Sequence, residues 1–169
     1  MTVASQGVRT EGIRPEISAI IEKYRSKPEM LMRVLLEIQA ATPDNFIPKK
    51  VATQVSQAVG MPMAQLYEFM SFYSMFSDAR QGKRVIRMCK SVPCRVRGAS
   101  DVAEAFLGEL GLSEPGQTTP DGSLTFKYCE CLGACDYSPA VIVDDKLYGN
   151  LDPAAVKGLV AELLEGAED

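Results

Sequence analysis

The chain has 169 residues, enough for one domain or two small ones and for a buried core. Its apolar share of 46% and charged share of 24% are ordinary for a globular protein, which argues against disorder over most of its length, and no apolar run approaches a membrane span. The net charge is −4 and histidine is absent, so imidazole catalysis, Cys/His zinc fingers and a Rieske centre are excluded.

The stretch Met1 to Gly12 has neither the layout of a secretory signal nor an Arg/Ser-rich transit pattern. A cytoplasmic location with reduced thiols is the expectation. From there to about Ser77 the chain reads as helical. A first helix is expected from about Pro15 to Arg25. Pro28 opens a second, with Met30, Leu31, Val34, Leu35 and Ile38 recurring at helical spacing until Thr42-Pro43 stops it. Pro48 opens a third, which buries Val51, Ala52, Val55 and Val59 and ends at Gly60. A fourth begins near Pro62 and carries Met63, Leu66, Tyr67 and Met70. Short connections between such helices predict a small bundle over residues 1–81. Phe69, Phe72, Tyr73 and Phe76 read as bundle core or as a contact surface; Met61, Met63, Met70 and Met75 read as packing.

Beyond a polar stretch at 77–83 the period changes. Arg84 to Met88 is expected to be a strand, and Ser100 or Asp101 is expected to cap a helix that buries Val102, Phe106 and Leu110 and ends at Gly111. Leu124 to Tyr128 follows the Asp121-Gly122 turn as a second strand. Ala140 to Val143 and Lys146 to Tyr148 form a third and fourth around Asp144-Asp145. Asp152 then caps a last helix carrying Val156, Leu159, Val160, Leu163 and Leu164. The order β-α-β-β-α over residues 82–169 predicts an α/β sandwich of thioredoxin type. The whole is an α+β chain in two parts, helical bundle first.

Four of the five cysteines stand in two short-spaced pairs in the loops after strands: Cys89 and Cys94 as C-x4-C, Cys131 and Cys135 as C-x3-C. Brought together, they offer four soft thiolates, which select zinc or an iron–sulfur cluster over hard cations. The pairs differ from each other and sit on a domain that has its own core, whereas zinc staples usually join similar pairs in loops without one. A redox C-x-x-C is absent. Iron–sulfur, structural zinc and unligated thiols all stay open on the residues alone. Gly133 lets backbone pass close to sulfur, Ser91 offers a hydroxyl, and Ser138-Pro139 is a candidate cis bond. Cys129, two residues before Cys131, reads as a small buried strand residue or as a substitute ligand.

Lys83, Arg84, Arg87, Lys90, Arg95 and Arg97 enclose the first pair with no acidic residue among them. That run is either a solvated face or a set of cations that offsets an anionic centre or docks a partner. Nucleic-acid binding is the weakest reading of the run, because the rest of this half is acidic and repels phosphates, and no nucleic-acid partner is expected.

The segments Cys89-Lys90-Ser91-Val92-Pro93-Cys94 and Cys131-Leu132-Gly133-Ala134-Cys135, with Pro139 beyond them, resemble the thioredoxin-like [2Fe–2S] ferredoxin subunit of the NADH-oxidising arm of respiratory complex I. Residues 116–122 and the segment Glu68 to Phe76 are similar to the same family, so the resemblance covers nearly the whole chain. The family includes the equivalent subunits of NAD-linked and electron-bifurcating hydrogenases and of formate dehydrogenases. The resemblance implies that Cys89, Cys94, Cys131 and Cys135 hold one [2Fe–2S] cluster. It also implies a neighbouring subunit that carries FMN, the NADH site and a further iron–sulfur cluster, and another catalytic subunit beyond it. Cys129 departs from the family's pattern. No G-x-G-x-x-G and no phosphate loop occur here, so the expectation is a non-catalytic electron-transfer subunit with no direct membrane insertion. The alternatives are a structural zinc-binding adaptor and a free-standing ferredoxin.

Overall fold

The structure, a computed structural model, describes residues 13–165, and the expectation for Met1 to Gly12 lies outside the described residues. Contacts divide the chain between Arg80 and Gln81 into two compact units.

The first unit is helical: α1 (Pro15–Lys23), α2 (Leu31–Ala41), α3 (Lys49–Val59) and α4 (Met63–Phe72). Each helix turns its apolar stripe inward, and Ile17, Ile21, Leu35, Ile38, Ile47, Val55 and Leu66 form one buried core. Gly60 closes α3 at φ 71°, a left-handed position that only glycine takes without strain. α1 stops at Lys23, short of the expected Arg25, and Pro28–Met30 forms a single 3-10 turn ahead of α2. Across α1 and α2, the Tyr24 hydroxyl donates to Glu37 at 2.6 Å while Lys23 and Arg33 pair with the same carboxylate. Those three donors, Tyr24 first, hold the Glu37 carboxyl down at about 2. Met70 and Phe76 are buried in this core and Met61, Met63, Phe69 and Tyr73 pack against it, while Phe72 points outward with 76% of its surface exposed.

The second unit is built from β1 (Arg84–Cys89), α5 (Val92–Val96), α6 (Ala99–Leu110), β2 (Leu124–Cys129), β3 (Val141–Val143), β4 (Lys146–Tyr148) and α7 (Pro153–Glu165). Its sheet has the order β2-β1-β3-β4, with β1 parallel to β2 and antiparallel to β3, and β3 antiparallel to β4. Ile86, Met88, Phe126, Val141 and Val143 pack with Val102, Phe106 and Leu110 of α6 and Val156, Leu159, Val160 and Leu163 of α7. Phe106 stacks on Phe126 with ring centroids 5.3 Å apart. Asp152 caps α7 by accepting from the Ala155 N–H at 2.7 Å.

Three expectations are corrected here. Cys94 lies in a short helix, α5, rather than in a plain loop, because Pro93 sits in its first turn, where a proline is tolerated. α6 starts at Ala99, so Ser100 and Asp101 are inside its first turn and the cap position belongs to Gly98 at φ 92°. Leu164, expected in the last helix's buried stripe, is exposed, since the stripe follows Val156, Leu159, Val160 and Leu163.

Candidate metal centre

β1 and β2 run side by side in parallel and end in register at Cys89 and Cys129. Both cysteine-bearing loops therefore leave the same end of the sheet. Cys89 is the last residue of β1, and Cys94 is carried back toward it by the turn of α5. On the other side, Cys131 and Cys135 flank a turn at Gly133, and Cys135 opens a 3-10 turn that leads to the cis Ser138–Pro139 bond and β3.

The four predicted cysteines line one recess with Leu132, Ala134 and Ala140. All five cysteines are free thiols; Cys89 and Cys94 are buried, and Cys131 and Cys135 are exposed. Within the recess the thiols influence each other most strongly in two pairs, Cys89 with Cys94 and Cys131 with Cys135. Among the described residues no group of three or more Cys, Asp or Glu side chains is arranged to hold a metal ion. Four thiols facing one recess offer the soft ligands that an iron–sulfur cluster or zinc takes.

Backbone N–H groups converge on the sulfurs. Those of Ser91 and Leu132 are directed at Cys89, that of Ala140 at Cys94, and that of Gly133 at Cys131 with an N···S distance of 3.4 Å. Gly133 reaches its position at φ 73°, where a side chain is strained. Burial pushes the Cys89 thiol up, yet the N–H groups of Ser91 and Leu132 and the neighbouring Cys94 outweigh it and hold the group below the ordinary thiol value. Burial raises Cys94. Hydrogen bonding to Cys131, followed by repulsion from it, raises Cys135.

Cys129 is buried and does not line the recess. β2 ends at Cys129, so the strand alternation that predicted a shared face with Cys131 stops there, and Cys131 turns out to solvent. Burial, then the charge of Cys89, pushes the Cys129 thiol up to about 11.

Two groups of supporting residues were missed. Ser138 is buried beside the Cys94 sulfur and donates to the Cys135 carbonyl at 2.6 Å, so it touches both loops; its place just before Pro139 was the available signal. The other group is Gly149 to Leu151, after β4. Asn150 N–H donates to the Tyr137 carbonyl at 2.6 Å and Leu151 N–H to that of Pro139 at 3.2 Å. Gly149 packs so closely on Tyr137 that an added Cβ would sit 2.7 Å from the Tyr137 carbonyl oxygen. Of the basic run, Lys90 pairs with Glu130 at 3.0 Å and Arg87 donates to the Asp144 carbonyl at 2.7 Å. Arg95 stands between Val92 and Val96, which are 72% and 81% exposed.

A sheet of this topology carries a four-thiol recess at the end of its parallel strands. The chain belongs to the thioredoxin-like [2Fe–2S] ferredoxin family, whose sequence profile matches residues 17–164, and that family carries one [2Fe–2S] cluster. It is similar to NADP-reducing hydrogenase subunit HndA of Solidesulfovibrio fructosivorans, 33% identical over 95% of this chain and 92% of that one. It is also similar to a subunit of the NADH-quinone oxidoreductase of Rhizobium meliloti (strain 1021), 32% identical over 88% of this chain and 86% of the other. An NAD+-reducing [NiFe]-hydrogenase shares the fold with a TM-score of 0.67 at 19% identity; the match covers 86% of this chain but 24% of that longer one. The donor set fits the family's cluster: four thiols, four directed N–H groups and, among the described residues, no side-chain oxygen or nitrogen lining the recess.

Proposed function

We propose that Cys89, Cys94, Cys131 and Cys135 hold one [2Fe–2S] cluster and that the chain is the electron-transfer subunit of an NADH-linked oxidoreductase complex. The observation that carries this reading is the single recess lined by all four cysteines. Bound there, the cluster supplies reversible one-electron acceptance. The chain's own residues do the rest. The N–H groups of Ser91, Leu132, Gly133 and Ala140 offset negative charge on sulfur, and α5 with the Ser138–Ala140 segment keeps water from the inner pair.

The chain does not itself oxidise NADH in this reading. Hydride carries two electrons, and a flavin on a neighbouring FMN- and NADH-binding iron–sulfur subunit splits them. A further catalytic subunit determines whether the complex reduces quinone or acts as a hydrogenase or formate dehydrogenase. The similarity to subunits of an NADP-reducing hydrogenase and of an NADH-quinone oxidoreductase supports such an assembly. So do the exposed Val92 and Val96 beside the first ligand pair, with Lys90, Arg95 and Arg97 around them as a basic rim. Residues 1–81 act as a helical domain and 82–169 as the cluster domain. The place of work in this reading is the cytoplasm or the cytoplasmic side of a membrane complex. None of the described helices is long and apolar enough to cross a membrane.

The test is anaerobic purification, iron, sulfide and zinc analysis, and low-temperature EPR after dithionite reduction. Two irons and two sulfides per chain with a rhombic S = ½ signal are expected. One zinc, no iron and no signal would overturn the reading in favour of a zinc-binding adaptor. Co-purification with a flavoprotein separates a fixed subunit from a free-standing ferredoxin.

A further inference from the structure

Arg87 of β1 and Lys127 of the edge strand β2 are register partners across the parallel pair, so two cations sit side by side on one face of the sheet. Directly opposed like charges destabilise a strand pair. Among the described residues no acidic side chain forms an ion pair with either. On the far side of Arg87 the register row continues with Ile142 and then Leu147, both apolar. The Asp144 carboxylate accepts from the Val85 N–H, so Arg87 meets only its backbone carbonyl, and Glu130 is paired with Lys90. Lys127 is half-buried, and among the described residues no ion pair or hydrogen bond reaches its ammonium.

The location of this pair suggests its use. Strand alternation places Arg87 and Lys127 on the face opposite Ile86, Met88 and Phe126, which pack with α6 and α7. Two residues on, about 7 Å along the strands, come Cys89 and Cys129. The charges of Cys89, Arg87, Glu130 and Lys127 all bear on the Cys129 sulfur, so that neutral thiol lies among them. The two cations therefore lie just behind the Cys89 side of the recess, in a partly desolvated setting that weakens screening.

Building on the cluster reading above, we infer that Arg87 and Lys127 are positioning residues that form a fixed positive field behind Cys89 and ease one-electron reduction of the site. One electron, drawn from a low-potential donor such as dithionite or a reduced flavin, adds one negative charge to the recess with no bond made or broken. Two nearby cations lower the free energy of that added charge. The cost of opposing like charges within the sheet is retained because the more negative reduced state offsets it.

The test is a mediated redox titration of the holoprotein at pH 7, followed by EPR, on wild type and the single variants Lys127→Met and Arg87→Met. At an effective dielectric of about 20 and a separation of about 12 Å, each lost charge shifts the one-electron equilibrium about tenfold, which is about 59 mV toward lower midpoint. Lys127→Arg keeps the charge and should restore the wild-type midpoint. Lys157→Met, which removes an exposed cation from α7, should leave the midpoint unmoved. Full iron and sulfide in both single variants with unchanged midpoints would overturn the inference. Loss of the cluster from both would also overturn it, assigning the pair to folding or assembly. A wild-type protein without iron would instead remove the cluster reading itself, a separate result.

Discussion

The two cysteine loops hold the same number of thiols in opposite ways. Cys89 closes a strand at the centre of the sheet and Cys94 sits in a helix, and both belong to the hydrophobic core with 3% and 2% of their surface exposed. Cys131 and Cys135 lie in a segment without regular structure beyond one 3-10 turn, and both are exposed. The first loop is thus fixed by packing. The second is fixed by a few named hydrogen bonds, from Ser138, Asn150 and Leu151, and by the contact of Gly149 with Tyr137. One half of the centre is as rigid as the core, while the other depends on what braces it.

Removing a thiol from either loop tests the comparison most strongly. Cys94→Ala and Cys131→Ala should each reduce iron content to near zero, since three thiolates leave one iron open. They should differ in the metal-free protein. Cys94→Ala leaves a small void in the core and costs about 1 kcal/mol, whereas Cys131→Ala, at an exposed position, should stay within about 0.5 kcal/mol. Denaturant melts of the metal-free proteins measure both; equal costs would erase the distinction between a packed and a braced loop.

Gly149→Ala tests the brace without touching a cysteine. The added methyl meets the Tyr137 backbone, which must shift, so a loss of about 1–3 kcal/mol is expected along with at least half of the iron. Circular dichroism should show the sheet and helices retained. Full iron occupancy at wild-type stability would mean that the second loop holds its shape without Gly149.

How far the chain could be read from residues follows the same division. Leu31, Val34, Leu35 and Ile38 announce α2 because helix periodicity records burial directly, and Val156, Leu159, Val160 and Leu163 do the same for α7. The cysteine spacings pointed to a recess because strand ends deliver loops to one place. α5 was not legible, since five residues give too little periodicity and Val92 and Val96 face solvent. The start of α6 was misplaced because Gly98 reaches the cap position through its positive φ, without the side-chain oxygen that marks a cap in sequence. Gly149 acquires its role from a contact made between loops, which no local pattern encodes, and for Ser138 the only local signal is the proline that follows it.

A smaller effect is expected at Gly133. Its N–H donates to Cys131 from a left-handed backbone, and Gly133→Ala strains that backbone by about 1 kcal/mol. The cluster should still assemble, with a lower midpoint as the N–H···S contact weakens. The equivalent exposed change Val96→Ala should leave the midpoint in place, because that side chain faces away from sulfur. Redox titration of the two variants side by side distinguishes the N–H···S contact from general perturbation near the loops.

The smallest expected effect is a pH dependence set by Lys127. Burial first, and then Arg87, bring its folded-state value down to about 8 from the ordinary 10.5. Below pH 8 both folded and unfolded chains carry the proton, and the burden of the half-buried cation is present in full. Between pH 8 and 10.5 the unfolded chain binds more protons than the folded one, so this residue makes stability rise with pH. Cys129 acts in the opposite sense: its folded value of about 11 lies above the ordinary 9.0, so its contribution falls with pH across that interval. The Lys127 contribution therefore has to be read as a difference. Lys127→Met should be more stable than wild type at pH 7, and the gap should narrow as pH rises through 8 toward 10. Paired denaturant melts at several pH values measure it, and a constant gap across that range would mean that Lys127 titrates like an exposed lysine.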